Sequence, residues 1–406
     1  MMVAAGLIGP ASAADPYSIA GAQSFGYDNN LLRLGNGSQA PEGYSRADNY
    51  SITTLQGGID QAFGRQRLAV DLSLRNVRYS GNSIFNNQGY TGSIGLDWST
   101  VERLSGRLSA NTNRSLSGFN SYEIGLLREK NYEDAQGLNA SVNVGLVTQY
   151  SLEVTASHRE VNNSLQNQSL QARNFKQESG SVGLRWQPRP SSSIGLSLRH
   201  TQGKYPKFRQ VGNTFQADRY KQEGVEVSAR LQPSGASLFD ARVAQSRTRY
   251  DLNDSRSFSG ITGSAGWAWQ PTGKLRLNTR FTRDTGQDSY AVTVFSGVPG
   301  SSDSSRLVNS LRLDLSYDLS SKVSFTTAWQ AGRNSVVQTI ENPLLPVRAS
   351  GEDRSSVFSV GARWTPTRSV TTGCDAAHED RKATGDIVIS LSSASFSCFA
   401  QLQLNP

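Results

Sequence analysis

Three histidines, two cysteines and a large excess of arginine are the side chains in this 406-residue sequence most able to do chemistry. His158, His200 and His378 stand far apart, without the spacing a metal centre needs. No Gly-x-Ser-x-Gly, phosphate loop or zinc signature accompanies them. The chain is therefore not expected to be an enzyme, and no catalytic residue, metal ligand or cofactor is assigned. Arginine outnumbers lysine 33 to 8, and many arginines fall at alternate positions in stretches whose other positions are apolar. A planar guanidinium binds carboxylate, sulfate or phosphate groups through two parallel hydrogen bonds, so rows of it suit an anionic ligand better than a reaction.

The elements that place those arginines are strands. Leu68-Ala69-Val70-Asp71-Leu72-Ser73-Leu74 keeps apolar residues on one face, and the same beat returns at 138–146, 224–231, 274–278 and 311–317. No apolar run of 18 residues occurs, so no transmembrane helix is expected. Alternation alone also suits a soluble sandwich. The connections separate the two. Short turns fall near Phe63–Gln66, Thr100–Arg103, Thr148–Tyr150, Pro188–Ser192, Pro233–Ala236, Pro271–Lys274, Ser320–Lys322 and Pro366–Arg368. Longer polar connections lie between them, at about 28–48, 80–89, 115–135, 161–173, 204–218, 250–257, 285–305, 335–352 and 381–388. Nine long and eight short connections in strict alternation predict an all-β fold: a transmembrane, antiparallel, up-and-down β-barrel of about 18 strands. Both termini are then on the short-turn side, expected to be periplasmic, in the outer membrane of a Gram-negative cell.

Other residues fit that frame. Met1 to Gly9 is apolar and Ala11-Ser12-Ala13 has the form of a cleavage site, so residues 1–14 read as the remnant of a signal peptide and 15–406 as the barrel. Trp98, Trp186, Trp269 and Trp364 end strands at short turns, three of them as Trp-x-Pro. Tyr27, Tyr50, Tyr79, Tyr90, Tyr205, Tyr220 and Tyr250 flank the long loops, and together the two sets are expected to form interfacial girdles. Cys374 and Cys398 are centred on position 386, inside the turn-like Thr384-Gly385-Asp386. If that is a hairpin tip they oppose each other across two strands, close enough for a disulfide; the alternative is a pair of small apolar residues facing lipid. His158 follows Leu152, Val154 and Ala156, and His200 follows Leu198, which puts both on the outer face near a rim.

Residues out of phase with the apolar face are expected to line the lumen. They include Arg67, Arg75, Arg103, Arg107, Arg185, Arg199, Arg230, Arg242, Arg276, Arg280, Arg312 and Arg363, set against Asp71, Asp97, Glu153, Glu226, Asp240, Asp314 and Asp318. Twelve bases and seven acids leave about five net positive charges, enough to guide an anionic chain. The bland alternative is mutual pairing across the lumen. Loop arginines such as Arg46, Arg128 and Arg209 suit lipopolysaccharide phosphates. The net charge of +8 also suits nucleic acid, a reading that an exported barrel sets aside. No separate plug domain is visible, so any plug must be a folded-in loop; 29–49, 115–134 and 286–305 are long enough.

Several stretches resemble the EpsL-type outer-membrane proteins of exopolysaccharide biosynthesis. They are Asp15-Pro16-Tyr17, Gly26-Tyr27-Asp28-Asn29-Asn30-Leu31-Leu32-Arg33-Leu34, Phe63-Gly64-Arg65-Gln66-Arg67-Leu68 with Arg78-Tyr79, and Gly373-Cys374 with Ser397-Cys398-Phe399-Ala400-Gln401-Leu402. The terminal Asn405-Pro406 is an unusual ending. The resemblance implies a conduit that exports an exopolysaccharide. Its partners would be the polymer, outer-membrane lipid and lipopolysaccharide, and the periplasmic and inner-membrane export machinery. A general or sugar-uptake porin and a closed structural or adhesive barrel are the alternatives.

Overall fold

Alternation favours an extended chain that shows one face to lipid and the other to water, and eighteen such stretches pair into one antiparallel sheet. The computed structural model describes residues 16–117, 120–121, 125–126, 129–147, 149–211, 213–252, 257–285, 305–340, 347–385 and 389–404. The first six strands are β1 (Tyr17–Asp28), β2 (Asp48–Phe63), β3 (Gln66–Tyr79), β4 (Asn87–Ser99), β5 (Leu104–Leu116) and β6 (Tyr132–Val147). The next six are β7 (Tyr150–Asn163), β8 (Phe175–Arg189), β9 (Ser192–Val211), β10 (Thr214–Ser234), β11 (Ser237–Tyr250) and β12 (Phe258–Trp269). The last six are β13 (Leu275–Thr285), β14 (Ser305–Asp318), β15 (Val323–Ile340), β16 (Val347–Trp364), β17 (Val370–Gly385) and β18 (Leu391–Leu404). Each strand pairs with its neighbours in sequence, and β1 pairs with β18 from Ile19↔Leu404 to Asp28↔Ser395. That last ladder closes the sheet, so no edge is left to aggregate. The eighteen-strand up-and-down barrel expected from the sequence is the observed fold.

Short connections gather at one end, as expected, but some long connections are shorter than the polar composition suggests. Residues 204–218 are mostly a hairpin extension in which Tyr205↔Asp218, Arg209↔Gln216 and Val211↔Thr214 are paired. The register shifts between Tyr205 and Arg209, where Pro206 lacks a ladder donor. Within 335–352 the ladder likewise continues to Ile340↔Val347. Residues 1–15, on which the signal-peptide reading falls, and 286–304, one of the three plug candidates, lie outside the described residues.

The exposed apolar side chains identify the lipid face. Leu138, Leu198 and Ile261 are each more than half exposed, although alternate neighbours such as Val161 and Thr201 are buried. Trp186, Trp267, Trp269 and Trp364 share that outer phase at the short-turn end. His158 and His200 are also outside, 3.8 Å from Glu178 and 3.7 Å from Glu223 respectively. Cys374 and Cys398 are direct cross-strand partners on the outer face, and their sulfurs are bonded.

The tyrosine girdle is only partly outside. Tyr27 and Tyr90 have the outer phase, but Tyr50, Tyr79, Tyr205, Tyr220 and Tyr250 point inward and are 2–7 % exposed. Alternation reverses the meaning of a rim tyrosine when its position is shifted by one residue. These inward rings build two apolar clusters at the long-loop end. One joins Leu31, Leu32 and Leu34 to Tyr50, Ile52, Val77, Tyr79 and Phe85 on the inner face of β2 and β3. The other joins Val161, Phe175, Tyr205, Tyr220 and Tyr250 on β7 to β11. Strands β1 to β3 and β9 to β11 lie about half a circuit apart, so the two clusters narrow the lumen from facing walls.

Candidate functional site: the lumen

The lumen has two chemically different halves. Register places Arg67, Arg75, Arg107, Arg185, Arg199, Arg230, Arg242, Arg276, Arg280, Arg312 and Arg363 on the inner face, mostly in the half nearest the short turns, with Arg103 in the turn before β5. Eight of the twelve arginines are held by acids. Arg67 pairs with Asp60 and Arg276 with Asp318. Arg107 lies 3.3 Å from Asp97, Arg185 2.5 Å from Glu153, Arg280 3.3 Å from Asp240 and Arg312 2.5 Å from Asp314. Glu226 accepts two, Arg242 at 3.4 Å and Arg199 at 3.7 Å. Arg75, Arg230 and Arg363 make no ion pair among the described residues.

A surplus of about five positive charges is not what the structure shows. Asp28, Asp48, Asp60, Asp218, Asp284, Asp353, Asp375 and Glu379 also face inward, which brings the wall near charge balance. Sequence reading missed them because most sit at strand ends, where apolar alternation fades into polar composition. Pairing does not exhaust the arginines. A guanidinium has five donors and a carboxylate engages two of them, so an exposed Arg107 or Arg280 still offers N–H groups to the lumen.

Toward the long loops the inner face carries buried acids instead. Asp28, Asp48, Asp218, Asp284, Asp353 and Glu379 are each less than a tenth exposed. They organise backbone. Asp48 accepts the N–H groups of Gly81 at 2.8 Å and Asn82 at 2.7 Å, which ties down the β3–β4 connection. Asp218 accepts the N–H of Leu252 at 3.0 Å, and Asp353 accepts Asn334 Nδ2 at 2.7 Å.

The β1–β2 connection folds inward here and packs against the inner wall. Leu31 N–H donates to the Arg46 carbonyl at 2.8 Å, and Asn36 N–H donates to the Ser390 carbonyl at 3.0 Å. Asn30 Nδ2 donates to the carbonyls of Leu34 at 2.9 Å and Ser392 at 3.0 Å, while its Oδ1 accepts Leu34 N–H at 2.9 Å. Arg33 then ties the loop to two strands. Its Nη1 lies 2.9 Å from Asp28 on β1 and its Nε 3.2 Å from Glu379 on β17. Arg33 adopts a positive φ of 51°, a conformation that non-glycine residues hold only when their surroundings enforce it. Of the three plug candidates, 29–49 therefore folds into the lumen. The only sequence signal was Leu31-Leu32-x-Leu34 inside an otherwise polar connection.

No family model and no curated protein matches the chain. Solved structures do. OccK2 (OpdF) of Pseudomonas aeruginosa superposes with a TM-score of 0.52 at 10% identity, covering 96% of this chain and 98% of that one. The same protein in complex with glucuronate gives 0.50 at 12% identity, over 95% and 98%. The FrpB iron transporter of Neisseria meningitidis (F5-1 variant) gives 0.50 at 10% identity, over 96% and 82%. The fold is that of outer-membrane barrels. At these identities the likeness extends to architecture alone.

Proposed function

We propose that the chain is a narrow outer-membrane channel that passes small polar solutes, with a preference for carboxylate-bearing ones such as sugar acids. The observation that carries this reading is a closed eighteen-strand barrel whose short-turn half presents exposed guanidiniums anchored by acids. Eighteen strands enclose an aqueous lumen. Anchored arginines hold a fixed geometry and keep spare donors, so a carboxylate can pass from one to the next. A barrel of this architecture has been solved with glucuronate, a solute of that class. The measurement is the reversal potential across a planar bilayer under a potassium chloride gradient. Anion preference is expected, falling about two- to threefold in an R230Q/R276Q/R280Q variant. Cation preference in the parent would sink the carboxylate reading. A complete absence of conductance would point to a structural or adhesive barrel.

A second reading, export of an exopolysaccharide, draws support from the resemblance and from one structural observation. The stretch Asp28 to Leu34, which carries much of the resemblance, is the stretch that locks the β1–β2 loop. A loop locked against the inner wall could give way as a polymer passes. The partners would then be the glycan, outer-membrane lipopolysaccharide, and periplasmic and inner-membrane machinery that drives the chain outward. Normal polymer yield from a deletion strain would rule this reading out.

A further inference from the structure

Outward-facing cations near the long-loop end fall into two kinds. Some are neutralised within the protein: Lys176 lies 3.0 Å from Glu160, and Arg333 and Arg354 lie 2.6 Å and 3.1 Å from Glu352. Others, Arg78 and Lys382 among them, make no ion pair among the described residues, and five of these lie together: Lys204 on β9, Arg219 and Lys221 on β10, and Arg247 and Arg249 on β11. All five are exposed, while their neighbours Tyr205, Tyr220, Thr248 and Tyr250 are buried on the inner face. Register makes them one patch. Lys204 faces Arg219 directly, Lys221 faces Arg249, and Arg247 faces Glu223. Glu223, Asp251 just past the end of β11, and Glu178 on β8 beside Gln202 are the nearest acids in register. Like charges opposed across an antiparallel ladder repel, so the bare patch costs stability that an anion lying across it would restore.

Two features make that anion a lipid. Directly below the patch the outer face turns apolar, with Leu198, Val225, Val227 and Val243 all well exposed. Beside it an apolar groove of about 770 Å³ crosses the outer face. The groove is floored by the small residues Ala110, Ala140, Ala156 and Gly180 and ends at His200 and Gln202. Gln202 is the direct cross-strand partner of Lys221, so groove and patch are continuous. We propose that this face binds a phosphorylated acyl lipid of the outer leaflet, with phosphates across the five cations and an acyl chain in the groove. The inference rests on an outer-membrane barrel whose long loops face outward, and it is independent of what the lumen carries.

Native mass spectrometry of the detergent-solubilised barrel, titrated with bis-phosphorylated lipid A or with the same lipid after removal of both phosphates, tests it. A K221Q/R247Q/R249Q variant is expected to weaken binding of the phosphorylated lipid on the order of 100-fold, from roughly fivefold per charge. Dephosphorylated lipid should bind the parent about as weakly. R333Q/R354Q, which removes equally exposed but paired cations, should change nothing, and A156W should weaken lipid binding by blocking the groove. Heat-modifiable migration on gels checks that each variant is folded. Retention of binding within threefold by the triple variant would overturn the proposal, as would equal binding of the dephosphorylated lipid. Inorganic phosphate binding as tightly as the lipid would reduce the site to an anion patch and overturn the lipid assignment. Conductance of the same samples reports on the channel reading separately.

Discussion

Replacing Arg33 by alanine is expected to raise single-channel conductance at least twofold and to expose the β1–β2 connection to protease. The magnitudes explain why one side chain suffices. Burial of Leu31 and Leu32, which are 4 % and 0 % exposed, stabilises the docked loop by about 2 kcal/mol each. Removing Arg33 leaves the buried Asp28 and Glu379 without its charge at 2.9 Å and 3.2 Å, a loss of about 3–5 kcal/mol for a broken buried pair. Arg381, 3.4 Å from Glu379, compensates only one of the two acids. The docked and undocked states then become comparable in free energy, and the open state is populated. An R33M variant, which keeps bulk but not charge, should open nearly as readily as alanine. R33A/D28N, which removes the abandoned acid on β1, should close the pore part of the way again. Unchanged conductance and unchanged proteolysis in R33A would show that the loop is held by something other than this clamp.

How much of this was legible beforehand depends on where along a strand a residue sits. Mid-strand, the apolar phase is unambiguous, so the inner position of Arg185 or Arg242 follows from Leu184 or Val243. The alternation of long and short connections was just as readable, because turns at one end of a barrel have little freedom in length. At the long-loop rim both signals weaken. Tyr205 and Tyr220 are polar enough for an interface and apolar enough for a core, and only the ladder register decides between them. Lys204 suffered the same fate: read as the start of a polar loop, it lies on a paired strand and shares one face with Arg219 and Lys221. The inward path of the β1–β2 connection depended on contacts more than 300 residues away, with Ser390, Ser392 and Glu379, and no local pattern encodes those.

The largest loss of stability is expected from Gly203→Val. A side chain at position 203 would begin 2.2–2.5 Å from atoms of the Tyr220 ring, well inside any tolerable contact. The ring has nowhere to go. It packs 5.2 Å from the Tyr250 ring and 6.0 Å from that of Tyr205, and its hydroxyl donates to Gln177 Oε1 at 2.6 Å. Valine at 203 would expel a fully buried aromatic ring and leave Gln177 without that donor, a cost of about 3–5 kcal/mol, comparable to deleting a buried aromatic side chain. Urea unfolding in lipid vesicles would read this as a lowered midpoint with little change in slope. Gly21→Val is the control, because a Cβ there meets nothing within 4 Å and β-branching favours an extended strand. If the clash is the cause, G203A/Y220A should cost less than the sum of its single changes, since neither clash nor ring remains to conflict. Equal midpoints for G203V and G21V would sink the argument. The facing wall repeats the device: a Cβ at Gly26 would lie 2.4 Å from the Tyr50 ring, which packs on Tyr79 beneath the β1–β2 loop. Gly26→Val should therefore destabilise the barrel too, but it should also disturb the seat of Leu31 and Leu32 and so raise conductance, which G203V has no direct reason to do. Measured together, the two variants separate the rings that hold the wall from those that also hold that loop.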